Sequence, residues 1–286
     1  MGPAPRRTAR RLPIEPQDDR VAGAPAAPTM TKALAPVNDG RMSLMEHLIE
    51  LRNRLIKCFV AVAVGAVVGW MLYFPVRDFL MVPLERLAEN PNVAEDFISF
   101  KPLEQLMLRL KMSAYLGIAI VMPFLLWQVW QFIAPGLYQN ERRYAGLFIG
   151  SASVLFLMGA ALAYYTLPEA LGFLQDVGGD RVVYQYTAEE YLTLILYMML
   201  AFGVGFQFPI VLITVQLVGL VTPDQLAGFR RFAIVGIFLG GAIITPSGDP
   251  ITLTALALPM CIFYEIAILV GRVMARRRVK AESAPS

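Results

Sequence analysis

The sequence predicts an all-α polytopic membrane protein: six transmembrane helices in a curved, concave bundle, with spans five and six short. Three observations carry that prediction. Of the 286 residues, 57% are hydrophobic and 16% charged, against about 45–50% and about 25% in a typical soluble domain. Six apolar runs follow one another, at about Leu55–Phe74, Met112–Ala134, Tyr144–Leu167, Tyr191–Leu220, Phe232–Ile244 and Ile251–Gly271. Prolines sit inside three of these runs, at Pro123, Pro209 and Pro259. Each frees a carbonyl and bends its helix, and several bent helices together curve a bundle.

In chain order, residues 1–42 are rich in Pro, Ala and Arg and lack apolar periodicity, the composition of a disordered basic tail. Arg6-Arg7 and Arg10-Arg11 have the paired form of an export signal, but Pro13, Glu15, Pro16, Asp18 and Asp19 follow where such a signal needs an apolar stretch. Ser43-Leu-Met-Glu46 then has the form of a capping box, and Leu44, Leu48, Leu51 and Leu55 recur at helical spacing. An amphipathic lead-in helix therefore begins near residue 43 and runs into span one. A spanning helix needs about 20 residues, and the first four runs reach that length. The fifth holds about 13 strongly apolar residues, about 20 Å of helix against a hydrocarbon core of about 30 Å, so it crosses only where the bilayer thins. The fourth is longest and is expected to tilt or kink at Pro209. The membrane domain is thus placed at 43–272, with a second basic tail at 273–286.

Close helix packing has candidates in Gly65-xxx-Gly69, Gly146-xxx-Gly150, Ala201-xxx-Gly205 and Gly236-xxx-Gly240. Lys and Arg placement sets the orientation: nineteen of the 25 fall on the side of the termini, and six, Arg77, Arg86, Lys101, Arg109, Lys111 and Arg181, on the other. By the positive-inside rule both termini are cytoplasmic, and the loops around 75–111 and 168–190 lie outside. The first outer loop carries Phe97, Ile98, Phe100, Leu103, Leu106, Leu108 and Leu110, too apolar for a tether. It is expected to form short interfacial helices, with Leu103–Leu110 leading into span two behind Lys101-Pro102. A cap on the bundle and a binding role both fit this loop.

The composition excludes much chemistry. There is one histidine, His47, and two cysteines, Cys58 and Cys261, each inside an apolar run where it suits a small buried hydrophobe better than a disulfide. No Cys/His metal spacing, nucleophile set, phosphate loop or dinucleotide turn occurs, and no Asp lies within any span. The reading is of a non-enzyme with no cofactor or metal and no nucleic-acid partner. One secondary-transporter alternative places a midplane site at Gln207 and Glu265 among proline-broken helices. It is weakened by the lack of two-fold repetition.

A cytosolic strip is the most specific feature. Glu50, Arg52 and Arg54 lie on the lead-in helix, Phe132-Ile-Ala-Pro135 ends span two, and Tyr138 to Arg143 precedes span three. Carboxylates at a membrane surface beside an aromatic suit a guanidinium ligand. Glu50 equally suits pairing with Arg54 four residues on, and Glu141 with its neighbouring arginines.

His47-Leu-Ile-Glu-Leu-Arg52, Gln128-Val-Trp-Gln-Phe-Ile-Ala-Pro135 and Glu141-Arg-Arg143 resemble the signature segments of TatC, the multi-span subunit of the twin-arginine protein translocase. Ala201-Phe-Gly-Val-Gly-Phe-Gln-Phe-Pro209, Thr245-Pro246 with Asp249, and Pro259 to Glu265 follow that family's order, so the resemblance covers about residues 43 to 272. It implies a six-helix receptor in the cytoplasmic membrane that recognises twin-arginine signal peptides of folded cargo. With single-span TatA/TatB-type subunits, and as a homo-oligomer in the receptor complex, it would export that cargo on the proton-motive force. Carried over by position, Glu50, Arg52, Phe132 and Glu141 form the signal-binding site, and Pro83 in the first outer loop matches another important position. Many members have a glutamate where this chain has Gln207, which leaves partner docking but no titration there. Glu265 is the one carboxylate within an apolar run, either snorkelling at an interface or facing a partner or cavity.

Overall fold

A computed structural model describes Gly2 and residues 44–87, 103–133, 145–178, 187–245 and 248–282. The regular structure among the described residues of the unit spanning Ser43–Ser286 is all helical, with no strand. The helices are α1 (Leu44–Met71), α2 (Tyr73–Leu87), α3 (Glu104–Ile133), α4 (Ala145–Gly178), α5 (Ala188–Gly205), α6 (Phe208–Leu217), α7 (Pro223–Gly228), α8 (Arg230–Ile244) and α9 (Pro250–Glu282). Five stretches are long and apolar enough to cross a membrane: Met45–Met71, Glu104–Ile133, Ala145–Gly178, Ala188–Leu217 and Pro250–Arg276. The fifth expected span, α8, has 15 residues, about 22 Å of rise, and is the short one. The N-terminal tail, Ser43 of the expected capping box, Lys101-Pro102 and residues 97–100 lie outside the described residues.

α1 joins lead-in and span one in a single helix, with its apolar face outward: Leu48, Leu51 and Leu55 are all exposed. Its other face meets α3 so closely that only small residues fit. A Cβ on Gly117 would stand 2.5 Å from the Ala66 nitrogen, and one on Gly65 or Gly69 would meet the Gly117 or Ser113 carbonyl at 2.7 Å. The first small-residue pair is therefore a packing seam. A second seam joins α4 to α5, where a Cβ on Gly159 would meet the Phe202 carbonyl at 2.5 Å. The other expected pairs do not serve this way. Among the described residues nothing lies within 4 Å of a Cβ on Gly146, Gly150, Gly236 or Gly240, and Gly205 has only ordinary contact with Leu256.

Among the described residues the core has four buried clusters, and the two largest form separate layers. At one end Tyr73, Leu80 and Leu84 of α2 bury against Leu108 and Met112 of α3, Leu167 and Leu171 of α4, and Leu192 and Ile195 of α5. Tyr191 donates to the Leu80 carbonyl and Tyr164 to the Phe79 carbonyl, both at 3.1 Å. The described part of the first interspan loop is thus a helical cap closed onto the bundle. Leu103 leads directly into α3, as expected. The second layer packs Phe202 and Phe206 against Leu256, Met260, Tyr264 and Ile268 of α9, with Ile237 of α8.

The prolines behave differently from one another. α3 and α9 run unbroken through Pro123 and Pro259, so these positions do not interrupt their helices. Span four does break, between α5 and α6. Gln207 N–H bonds back three residues to the Val204 carbonyl at 2.9 Å, and the helix restarts at Phe208 with Pro209 in its first turn. Proline there has no N–H to lose and a pre-set φ. Span six also departs from its expected shortness. α9 is 33 residues long, because the helix carries on from the apolar run into the basic stretch ending at Glu282. Its start is fixed by Asp249, 2% exposed, whose carboxylate accepts the Thr252 N–H at 2.7 Å and hydroxyl at 2.6 Å.

Candidate functional site

The end of the bundle opposite α2 gathers the start of α1 and the close of α3. His47, Glu50 and Arg54 recur at three and four residues, so they share one side of α1. That side faces Gln128, Gln131 and Phe132, which fall together near the end of α3. The rings of His47 and Phe132 stack with centroids 4.2 Å apart and planes 19° from parallel.

Arg54 ties the two helices. Its Nε and Nη2 donate to Oε1 of Glu50, the former at 3.0 Å. Nη1 donates to the side-chain oxygen of Gln131 at 2.6 Å and of Gln128 at 3.3 Å, and Nη2 to the Gln131 carbonyl at 3.3 Å. Both members of the pair are about four-fifths shielded, with side-chain exposures of 17% and 20%. Among the described residues the second carboxylate oxygen of Glu50 has no hydrogen-bond partner. Chemically this is a cradle for one guanidinium, built from a carboxylate, two amides and a backbone carbonyl, beside an aromatic stack.

The structure therefore brings Glu50 and Phe132 into one assembly. Arg52, two residues along the helix from Glu50, is exposed and outside it. Glu141 lies outside the described residues, as do Pro135, Arg142 and Arg143. Sequence reasoning noted the Glu50–Arg54 pair but missed the roles of Gln128, Gln131 and His47. The available signal was a polar i, i+3 pair ending an apolar run, opposite a polar i, i+3, i+7 set on the lead-in helix.

The other expected positions stand apart. Gln207 donates to the Ala152 carbonyl of α4 at 2.9 Å, while its side-chain oxygen has no hydrogen-bond partner among the described residues. Glu265 is half-exposed and holds Arg230 by two bonds, Nε to Oε1 and Nη2 to Oε2, each 2.8 Å. It faces the cation that opens α8, not a central cavity. The midplane pairing of Gln207 and Glu265 that the transporter alternative requires is thus not formed, since each is committed elsewhere. Pro83 is buried in α2 and borders a cavity of about 580 Å³ with Tyr164, Tyr165, Pro168, Glu169 and Asp176. Arg77 on the same helix is half-buried, and its hydrogen bond to Asp78 raises its pKa further.

The family model described as "Sec-independent protein translocase protein (TatC)" matches residues 46–259. The chain belongs to the TatC family. A TatC of Frankia casuarinae is 36% identical over 269 residues, covering 88% of this chain and 74% of that protein. A TatC of Aquifex aeolicus is 38% identical over 247 residues, covering 85% of this chain and all of that protein. A crystal structure of the twin-arginine translocase receptor TatC superposes with a TM-score of 0.67 at 37% identity, covering 80% of this chain and 99% of that one. The protein is accordingly a multi-pass membrane member of a protein-translocase family, with the TatC fold. Within that fold, the cradle on α1 and α3 holds the guanidinium of Arg54, and Gln207 is an uncharged amide bonded to α4.

Proposed function

We propose that this protein is the signal-recognising subunit of a twin-arginine translocase in the cytoplasmic membrane, with both termini and the Glu50 cradle cytoplasmic. Glu50 and Glu141 take the guanidiniums of a twin-arginine signal, Phe132 offers an aromatic face, and Arg52 stands at the exposed rim. Single-span TatA/TatB-type subunits and further copies of the chain complete the complex, which moves folded cargo on the proton-motive force. The protein itself is not an enzyme. Residues 1–42 and 273–286 are its basic cytoplasmic extensions around the membrane domain 43–272, and α8 serves as the fifth of six spans.

One observation carries this reading: in a TatC-family chain, Glu50 already binds a guanidinium next to Phe132, in geometry that a second arginine can share or exchange. Arginine suits such a site better than lysine because its planar fork bonds two acceptors at once. The test is photo-crosslinking in membranes. A benzophenone amino acid at Phe132 or Arg52 is expected to capture a twin-arginine signal peptide, and one at Tyr165, near the opposite end, is not. Equal capture at all three positions, or capture at Tyr165 alone, would overturn the assignment.

A further inference from the structure

A groove of about 580 Å³ opens where α6 ends and α7, α8 and α9 meet, apart from the Glu50 cradle. Its volume lies within the about 300–1,000 Å³ usual for ligand sites. Leu220, Leu226, Phe229, Phe232 and Tyr264 line it, and its rim is strongly apolar, with Leu220 73%, Phe229 63% and Phe232 59% exposed. The Tyr264 hydroxyl is already spent on the Leu226 carbonyl at 2.7 Å. The walls therefore suit a hydrocarbon chain.

Two arginines open α8 between the lining residues Phe229 and Phe232 and have different commitments. Arg230 is held by Glu265 through two bonds. Arg231 lies over the Phe232 ring, 4.9 Å from its centroid, and among the described residues it has no acidic partner. Because Arg230 neutralises Glu265, the start of α8 keeps the positive charge of Arg231 beside the lining ring of Phe232.

Depth makes this charge informative. Two ion pairs mark levels on α9, Arg230–Glu265 and Arg272–Asp224. They are seven residues apart, about 10 Å along the helix axis. Between them Ile266 and Leu269 remain exposed, so lipid-compatible surface continues past the level at which α8 presents its arginines. A ligand satisfying both surfaces needs an anion at Arg231 and a chain along the groove. Basic pockets between transmembrane helices meet anionic headgroups in this way.

We propose that this groove binds one anionic phospholipid, its phosphate on Arg231 and an acyl chain along Leu220, Phe229 and Phe232. The site is independent of signal recognition. Its test is native mass spectrometry of the full chain in detergent with equal phosphatidylglycerol and phosphatidylcholine. Wild type is expected to retain phosphatidylglycerol about fivefold over phosphatidylcholine. Arg231→Gln removes that preference, Ala233→Leu fills the groove and lowers retention of both lipids, and Arg276→Gln on α9 changes nothing. Melting temperatures of the variants confirm that each is folded. Equal retention by wild type, an unchanged preference in folded Arg231→Gln, or displacement by inorganic phosphate as effective as by lipid would overturn the proposal. Protection of Phe229→Cys from thiol labelling by a second polypeptide, but not by phosphatidylglycerol, would overturn it as well.

Discussion

Glu50 is a carboxylate that the chain itself answers with a guanidinium. Arg54 reaches it from the next turn and spends its remaining donors on Gln128 and Gln131, so one side chain both neutralises the acid and ties α1 to α3. Removing one partner of a shielded pair leaves the other uncompensated, which costs more than the pair itself contributes. Arg54→Met is therefore expected to lower stability by about 1–3 kcal/mol, and Glu50→Gln in the same chain to recover part of that loss. Thermal unfolding of the two single variants and the double variant measures it; strict additivity would mean the contact contributes nothing. Asp249 makes a second residue-scale case. Asp249→Ala removes the group that accepts the Thr252 N–H at the start of α9 and is expected to cost about 1 kcal/mol in the same assay, whereas Asp249→Asn retains most of it. The Glu50–Arg54 pair was legible from its four-residue spacing. Gln128 and Gln131 were not, because partners more than seventy positions away leave no periodic trace in the sequence.

At the scale of elements, the α1–α3 seam rests on the absence of side chains. A Cβ on Gly117 meets backbone, which cannot swing aside as a flexible side chain could. Gly117→Ala is expected to destabilise the protein by about 1–3 kcal/mol, while Gly236→Ala and Gly240→Ala on α8 leave the melting temperature unchanged because their Cβ positions face open space. A melting temperature for Gly117→Ala equal to wild type would show that the helices separate without cost. The six apolar runs were legible because hydropathy alone marks spans, and the continuity of lead-in helix and span one followed from the leucine spacing. Which small-residue pair packs was not legible. Gly65-xxx-Gly69 and Gly236-xxx-Gly240 read alike in sequence, and only the partner helix distinguishes them. The prolines were ambiguous for a related reason. Pro123 and Pro259 stay within their helices while Pro209 starts one, and local sequence does not decide between bending and restarting.

For the whole molecule, the proposed six-span arrangement sets a 15-residue α8 against a 34-residue α4 and so implies a mismatch with the bilayer. About 22 Å of helix leaves about 8 Å of a 30 Å hydrocarbon core unspanned, unless the lipid thins locally. Nitroxide labels along the exposed faces of the two helices are expected to report a greatest immersion depth about 4 Å shallower on α8 than on α4. Equal depths would mean full-thickness lipid on both sides. Charge placement along the chain predicts a sidedness with both termini cytoplasmic, but Glu141 cannot be related to Glu50 by spacing, since the two acids belong to different segments. Their cooperation is the proposal on which receptor function turns. The most direct measurement is binding of a twin-arginine signal peptide to the purified protein, beside a twin-lysine peptide of equal charge, in wild type, Glu50→Gln and Glu141→Ala. The arginine peptide is expected to bind about tenfold more tightly to wild type, with the difference lost in either variant. Equal binding of the two peptides to wild type, or a preference undiminished in both variants, would contradict recognition by these acids.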